Sequence, residues 1–436
     1  MSTIRARPGS PPCVPKCLGF RTLGRTAPEP APHRCAARDW ESTGSNRRNP
    51  AGTGTYAPRP GNRRCRPRLH LGAALLATAL LAVLAGCAAW PPQRGLHVVS
   101  APAPSRDERY CAWYGAAEGD VLYVGESAFW STMRDAGGDP RADLARPGPR
   151  RIGRFDLRRE RWLEPLAVGE PVSPSGVWDV HLQDGEVYFT TFFEDAGRVD
   201  PTTGRVVSFP AAGRALNELA PGPDGRVLVS RYGSGLDESG DGELLTLEPD
   251  GTIAERFALP GPDGYHVAPK TPAWDPLRGQ LIATTDLFPI DDGAIRHDAY
   301  SLQRAGGPVR RSEHPELQFI AVGPDGSVYR AEAEGELWLS MLGPADPPGR
   351  ERRVLLDRAF PQAADFVQDL KPTADGRVVV TRWSGIVHVV DARGEVATLA
   401  LPRLDPEGLY YTGVLHGQRL CVTHCGDVTV VCVDAP

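Results

Sequence analysis

An all-β fold, a propeller of seven four-stranded blades, is what this 436-residue sequence predicts. Three observations carry the prediction. The chain holds 48 glycines and 43 prolines, about one residue in five where ordinary usage is roughly 12%. At that density they would interrupt any long helix. From about residue 110 a unit recurs: apolar strand, Asp-Gly-type turn, β-branched strand, looser loop, third strand, second turn. Finally, 41% hydrophobic residues and nine Trp supply a sizeable core, so a disordered, collagen-like or multi-span membrane chain is excluded. Six blades are the alternative count.

The formal charge of −5 hides a split. Residues 1–86 hold thirteen Arg and Lys16 against Glu29, Asp39 and Glu41, a balance of +11, which leaves −16 for residues 87–436. Residues 1–68 are rich in Arg and Pro and lack apolar periodicity. They read as a disordered leader, or as sequence upstream of the true start, because they cannot bury enough surface to offset the entropy of ordering. Cys13, Cys17, His33 and Cys35 do not have the spacing of a zinc finger.

Residues 69–86 follow Arg66-Pro67-Arg68 as an apolar run ending Leu84-Ala85-Gly86-Cys87, the layout of a secretory signal. Those last four residues resemble a bacterial lipobox, which implies a diacylated Cys87 as the mature N-terminus. The rival reading is a signal anchor, since no charge falls between Arg68 and Arg94, and the Gly-Cys ending favours the lipobox. Ala88 resembles the outer-membrane sorting pattern of Gram-negative lipoproteins. The expected location is the cell envelope, lipid-anchored, facing the periplasm if the organism is Gram-negative.

Residues 87–107 form a tether whose Leu96–Ser100 stretch is a candidate ring-closing strand. With Cys87 acylated, Cys111, Cys421, Cys425 and Cys432 remain, and four cysteines allow three pairings. A two-residue turn at Gly426-Asp427 would set Cys421 opposite Cys432, the first pairing to expect; buried free thiols are the alternative.

Residues 108–436 carry the repeats. The first-turn glycines are Gly119, Gly185, Gly225, Gly279, Gly326, Gly376 and Gly417, spaced by about 50 residues on average, a blade-like period. The clearest copies are 217–260, 318–357 and 367–402. The last unit has three recognisable strands, and Leu96–Ser100 is expected to supply its fourth.

In such a ring the inner strands begin around one mouth of the channel. Asp179, Asn217, Glu218, Lys270, Gln318, Gln368 and Asp369 fall at those starts, with Trp178, Trp274 and Tyr411, as a polar, aromatic-rimmed mouth. Three long loops, Glu126–Arg150, Arg231–Gly242 and Asp286–Asp298, open on the same face. Channel waters bound by ordinary strand-start side chains are the plainer account. Asp237, Ser239 and Asp241 place oxygens at alternate positions with Gly242 at the sixth, a calcium-loop spacing. However, Leu244–Leu247 reads as a strand, so a helix-loop-helix is excluded.

Asp369, Ala374-Asp-Gly-Arg, Arg382-Trp-Ser-Gly and Asp391-Ala-Arg-Gly resemble a blade of the gluconolactonase/regucalcin (senescence-marker protein) propellers, with NHL repeats a near alternative. Asn217-Glu-Leu and Ala273-Trp-Asp-Pro resemble two further strands of that family. The resemblance implies a divalent cation in the channel that activates lactone hydrolysis. Asn217 matches one of its ligands, and Gln368 or Asp369 falls near another. The second Asn position falls near Lys270 or Thr271, no Glu-Gly-Pro appears in the first blade, and the family is usually six-bladed.

The leading expectation is therefore a lipid-anchored propeller that binds a small molecule or protein partner at its mouth. A metal-dependent, gluconolactonase-like hydrolase is second and a structural envelope module third. No P-loop, dinucleotide fingerprint, H-E-x-x-H or G-x-S-x-G occurs. A domain at −16 is also unsuited to nucleic acid.

Overall fold

β-Branched runs set off by glycine turns fold as short antiparallel strands almost throughout. The computed structural model describes residues 94–101, 111–127, 150–169, 176–191, 195–213, 215–232, 241–289, 296–303, 307–313, 317–347, 350–361, 365–404, 409–425 and 428–436. Cys87, Asp237, Ser239, Gly426 and Asp427 lie outside the described residues, as do the leader, the signal-like run and most of the three long loops.

The strands are β1 (His97–Ser100), β2 (Cys111–Glu118), β3 (Val121–Ser127), β4 (Arg151–Asp156) and the short β5 (Arg161–Trp162) and β6 (Leu166–Ala167). Four-stranded meanders follow. The first comprises β7 (Asp179–Gln183), β8 (Glu186–Thr190), β9 (Ala196–Val199) and β10 (Val206–Phe209). The second is β11 (Leu216–Pro221), β12 (Val227–Arg231), β13 (Gly242–Leu247) and β14 (Ile253–Leu259). The third is β15 (Tyr265–Asp275), β16 (Gln280–Pro289), β17 (Arg296–Gln303) and β18 (Arg310–Glu313). Then come β19 (Leu317–Val322), β20 (Val328–Ala333), β21 (Leu337–Leu342) and β22 (Arg352–Asp357). The fifth holds β23 (Val367–Pro372), β24 (Val378–Arg382), β25 (Ile386–Val390) and β26 (Val396–Ala400). The chain ends with β27 (Leu409–His416), β28 (Arg419–Cys425) and β29 (Thr429–Asp434).

Those five meanders are separate four-stranded sheets. The remaining strands form one nine-stranded sheet in which β27 and β29 flank β28, β1 lies outside β29, and β2 to β6 join beyond β28. β1 runs antiparallel to β29 with Val98 opposite Val431 and Ser100 opposite Thr429. Backbone pairing between β28 and β2 consists of one residue pair, Cys425 with Cys111.

All seven first-turn glycines lie in the turns that join an inner strand to its neighbour, and each has positive φ, from 57° at Gly119 to 82° at Gly326. Glycine adopts that conformation without the steric cost other residues meet. Both faces of each sheet are covered. Phe189 and Ile152 share one apolar layer, Phe209 and Val229 the next, and Phe319 and Val380 another. Ala112, Leu122 and Phe155 of the first strands pack with Val414, Val430 and Cys432 of the last. The inner strands meet in a closed circuit: β2, β7, β11, β15, β19, β23, β27 and again β2. This is a propeller arrangement.

Two disulfides are formed, Cys111–Cys425 and Cys421–Cys432. Cys421 stands directly opposite Cys432 in the β28–β29 ladder.

Candidate functional site

Six inner strands slip their register by one residue, five close to their start and β15 at its middle, so Lys270, expected at a strand start, lies midway along β15. The slips fall between Ala112 and Gly115, Leu216 and Leu219, Pro269 and Pro272, Leu317 and Phe319, Val367 and Asp369, and Tyr410 and Gly413. β7 keeps a continuous register. An extra residue bends a strand and re-aims its side chains. The residues caught in these bulges are Trp113 and Tyr114, Asn217 and Glu218, Lys270 and Thr271, Gln318, Gln368, and Tyr411 and Thr412. The polar cluster at the strand starts is thus a ring of bulges.

A bulge frees backbone groups that must be satisfied when buried, and hydroxyls on the second strand beside the preceding inner strand do this. Thr190 Oγ1 donates to Asn217 O at 2.7 Å, Ser230 Oγ to Lys270 O at 2.8 Å, and Thr423 Oγ1 to Trp113 O at 2.9 Å. Ser230 Oγ also accepts from Glu218 N. These hydroxyls have no counterpart in the expectations drawn from the sequence. Their signal was a Ser or Thr near the end of a second strand, as in Val227-Leu-Val-Ser; Thr381, at the same place in Val378-Val-Val-Val-Thr, makes no such bond among the described residues.

Asp179, Glu218 and Asp369 are 5%, 5% and 2% exposed, so their charge lies out of bulk water. Asp179 accepts from Val180 N at 2.8 Å and from Leu219 N at 2.7 Å. Asp369 accepts from Leu370 N, with Lys371 Nζ 3.5 Å away. Lys270 Nζ lies 3.5 Å from Asp286, which His297 contacts at 2.8 Å. Glu218 Oε1, Asp369 Oδ2, Gln318 Nε2 and His181 Nε2 are buried and have no hydrogen-bond partner among the described residues.

Burial pushes the Asp179 carboxyl up to about 7 against the pull of Lys371 and the Leu219 N–H. It pushes Glu218 up to about 8, helped by Asp179 and Asp369 and opposed by Lys270 and Lys371. Asp369 is raised by burial too. Burial alone would raise Asp286, but Lys270 and then His297 hold it below its ordinary value. Burial, with Lys371 nearby, drives His181 down to about 3, so its ring is neutral. The charges felt by Glu218 come from β7, β15 and β23, three sheets besides its own.

Aromatic rings close one side. Trp113 and Trp178 have centroids 4.4 Å apart, Trp113 and Tyr411 4.6 Å, and Tyr114 and Tyr411 5.6 Å. Tyr114 Oη donates to Gln368 Oε1 at 3.2 Å, linking β2 to β23 across the mouth. Tyr114 and Tyr232 both lie within the field of Glu218. Cys111 and Cys425 pack behind this wall.

Asp179, Glu218, Lys270 and Asp369 are thereby brought together, and Gln368 meets Tyr114. Gln318 sits at its own bulge, while Trp274 packs in a layer between sheets. Asp241 Oδ1 accepts from Gly261 N at 3.3 Å; its two companions in the calcium-like spacing lie outside the described residues. Tyr114, His181, Tyr232 and Lys371 are additional site residues. His181 and Lys371 follow Asp179 and Asp369 by two positions, the strand period that puts them on one face.

The residues present do not fit a lactonase-type metal. Asn217 donates its amide to Pro269 O at 3.1 Å, and the ammonium group of Lys371, 3.5 Å from the candidate ligand Asp369, would repel a cation there. Among the described residues no three His, Cys, Asp or Glu side chains are placed to hold an ion.

No family model matches the chain, and no curated protein matches it in sequence. Among solved structures it is similar to a catalytically inactive virginiamycin B lyase from Staphylococcus aureus, with quinupristin. The TM-score is 0.52 at 11% identity, over 78% of this chain and 99% of that one. At that identity the likeness shows the fold alone, a β-propeller.

Proposed function

We propose that this is an exported, lipid-anchored β-propeller of seven blades that binds a small molecule at the channel mouth. The observation that carries the binding reading is the buried Glu218 Oε1, without a partner among the described residues, near Tyr114 and Tyr232 in a wall that includes Trp178 and Tyr411. Buried polar atoms without partners are costly unless something meets them. Apolar faces beside convergent polar groups are the usual build of a ligand site. The solved relative with quinupristin is a propeller that takes a ligand, which favours the same use of the fold here.

Seven glycine turns and the circuit of seven inner strands support the count of seven blades, with β27, β28, β29 and β1 read as the last. Cys87 is the proposed anchor. Lactone hydrolysis has no support in the residues around Asn217.

A thermal-shift screen of a small-molecule library against the full chain and Trp178→Ala tests the site. Ligands that stabilise the wild type and lose that effect in the variant support it; hits indifferent to Trp178 would place binding elsewhere. Labelling with radioactive palmitate tests the anchor. Label retained after Cys87→Ser would reject it.

A further inference from the structure

The charge at the mouth is unevenly spent. Each lysine already has a carboxylate at 3.5 Å, Lys270 with Asp286 and Lys371 with Asp369. Asp179 spends both oxygens on backbone N–H groups. Glu218 is left with a buried oxygen that no donor of the described residues meets. Among the described residues four carboxyls, Asp179, Glu218, Asp286 and Asp369, share two ammonium groups already paired with Asp286 and Asp369, so a charge on Glu218, once its proton leaves, has no cation of its own.

We propose that the mouth takes an organic cation, an alkylated ammonium group, with Glu218 as its counter-charge and the faces of Trp178, Tyr114 and Tyr232 against its carbon substituents. This rests on the reading of the mouth as a ligand site and names the class of ligand. Electron-rich aromatic faces attract cations, more strongly when desolvated. A ligand carboxylate would meet Glu218 and Asp179 at close range in a poorly solvated site, where like charges repel strongly. A neutral ligand would leave Glu218 uncompensated. Burial, with Asp179 and Asp369 nearby, pushes that carboxyl up to about 8 against the pull of Lys270 and Lys371, and a cation beside it would favour its charged form.

The test uses the full chain and three probes of similar shape: choline, its uncharged carbon analogue dimethylbutanol, and the anion pivalate. Binding is read by calorimetry and by tryptophan fluorescence. Choline is expected to bind at least about tenfold tighter than dimethylbutanol, a gap of about 1.4 kcal/mol, with pivalate weakest. Glu218→Gln, checked for folding by circular dichroism, should bring choline down to the level of dimethylbutanol. Equal binding of choline and dimethylbutanol, tighter binding of pivalate, or no binding of choline overturns the cation. So does choline binding that Glu218→Gln leaves unchanged. If dimethylbutanol or pivalate binds and Trp178→Ala abolishes that binding, the mouth stands as a ligand site and only the cation falls. Choline binding indifferent to both substitutions overturns the two readings together.

Discussion

Cys111 and Cys425 are bonded to each other across 314 residues of chain, with Cα atoms 4.1 Å apart. The bond joins the first inner strand to the last sheet where the backbone supplies a single residue pair. It also lies directly behind Trp113 and Tyr411. Closing so long a loop removes far more freedom from the unfolded chain than Cys421–Cys432, which closes eleven residues. Replacing Cys111 and Cys425 by Ser should cost at most about 5 kcal/mol, against about 3 kcal/mol for the second pair. Denaturant melts of the two double variants check the order. Only the first should also shift tryptophan emission.

The carboxyls of the mouth set a pH dependence. A group whose folded pKa is raised gives stability that is complete below its ordinary pKa and is lost as pH rises through the folded value. For Asp179 and Glu218 that window runs from about pH 4 to about 7 and 8. Asp369, also raised, adds in the same direction. Asp286, lowered, acts only below the ordinary carboxylate range, and Lys371, raised, only above the ordinary lysine range. Unliganded protein should therefore melt at a lower temperature at pH 8.5 than at pH 5.5. Glu218→Gln should flatten that fall and be the more stable protein at pH 8.5. Asp179→Asn should not be, because an amide oxygen can replace only one of the two oxygens that hold Val180 N and Leu219 N.

The hydroxyl stitches predict a cost without any loss of volume. Thr423 is fully buried, donates to Trp113 O and accepts from Thr412 N at 2.9 Å. Thr423→Val keeps the shape and strands both groups, so it should destabilise by about 1–3 kcal/mol. Thr423→Ser should recover most of this. A valine variant as stable as the wild type would show that the bulge at Trp113 needs no partner.

Gly176 makes a steric prediction. Its φ is 59°, and a Cβ there would run into the Glu126 carbonyl oxygen and lie 2.9 Å from Ser127 Cα. Neither can move as a flexible side-chain end would. Gly176→Ala should cost about 2–4 kcal/mol, from left-handed strain plus overpacking. Because Trp178 is two residues on, ligand affinity in the screen should fall with it.

What the sequence disclosed was whatever depends on local pattern. Gly119 through Gly417 located the turns because positive φ selects glycine, and Val227–Ser230 and Val378–Thr381 read as strands because β-branching suits a pleated surface. Site identity depended on register, which a bulge shifts by one. Asn217 and Glu218 are neighbours, and only the bulge decides that Asn217 spends its amide on Pro269 while Glu218 lies among the charges of Asp179, Lys270 and Asp369. His181 and Lys371 were readable at two positions beyond recognised residues. Tyr114, from the opposite end of the chain to its partner Gln368, carried no local signal. Nor did the Cys111–Cys425 pairing.

The closing strand yields the last prediction. β1 covers the outer edge of β29, with Ala101 N donating to Val428 O at 2.7 Å and Asp434 N to Arg94 O at 3.0 Å. Side chains fasten it further. Trp162 Nε1 donates to Val99 O at 3.0 Å, and Arg419 reaches Gly95 O at 2.8 Å while pairing with Glu160 and Asp434 at 2.6 Å. His97 meets the same Glu160. An uncovered β29 would present unpaired N–H and C=O groups to any other strand. A chain lacking residues 1–101 should therefore melt lower and elute partly as aggregate in gel filtration. Arg419→Ala, which loosens the strand without removing it, should cost about 1 kcal/mol, because pairs this exposed are screened. If the shortened chain melts with the wild type and elutes as the wild type does, β1 is ornament, and β27 to β29 need no cover on the edge of β29.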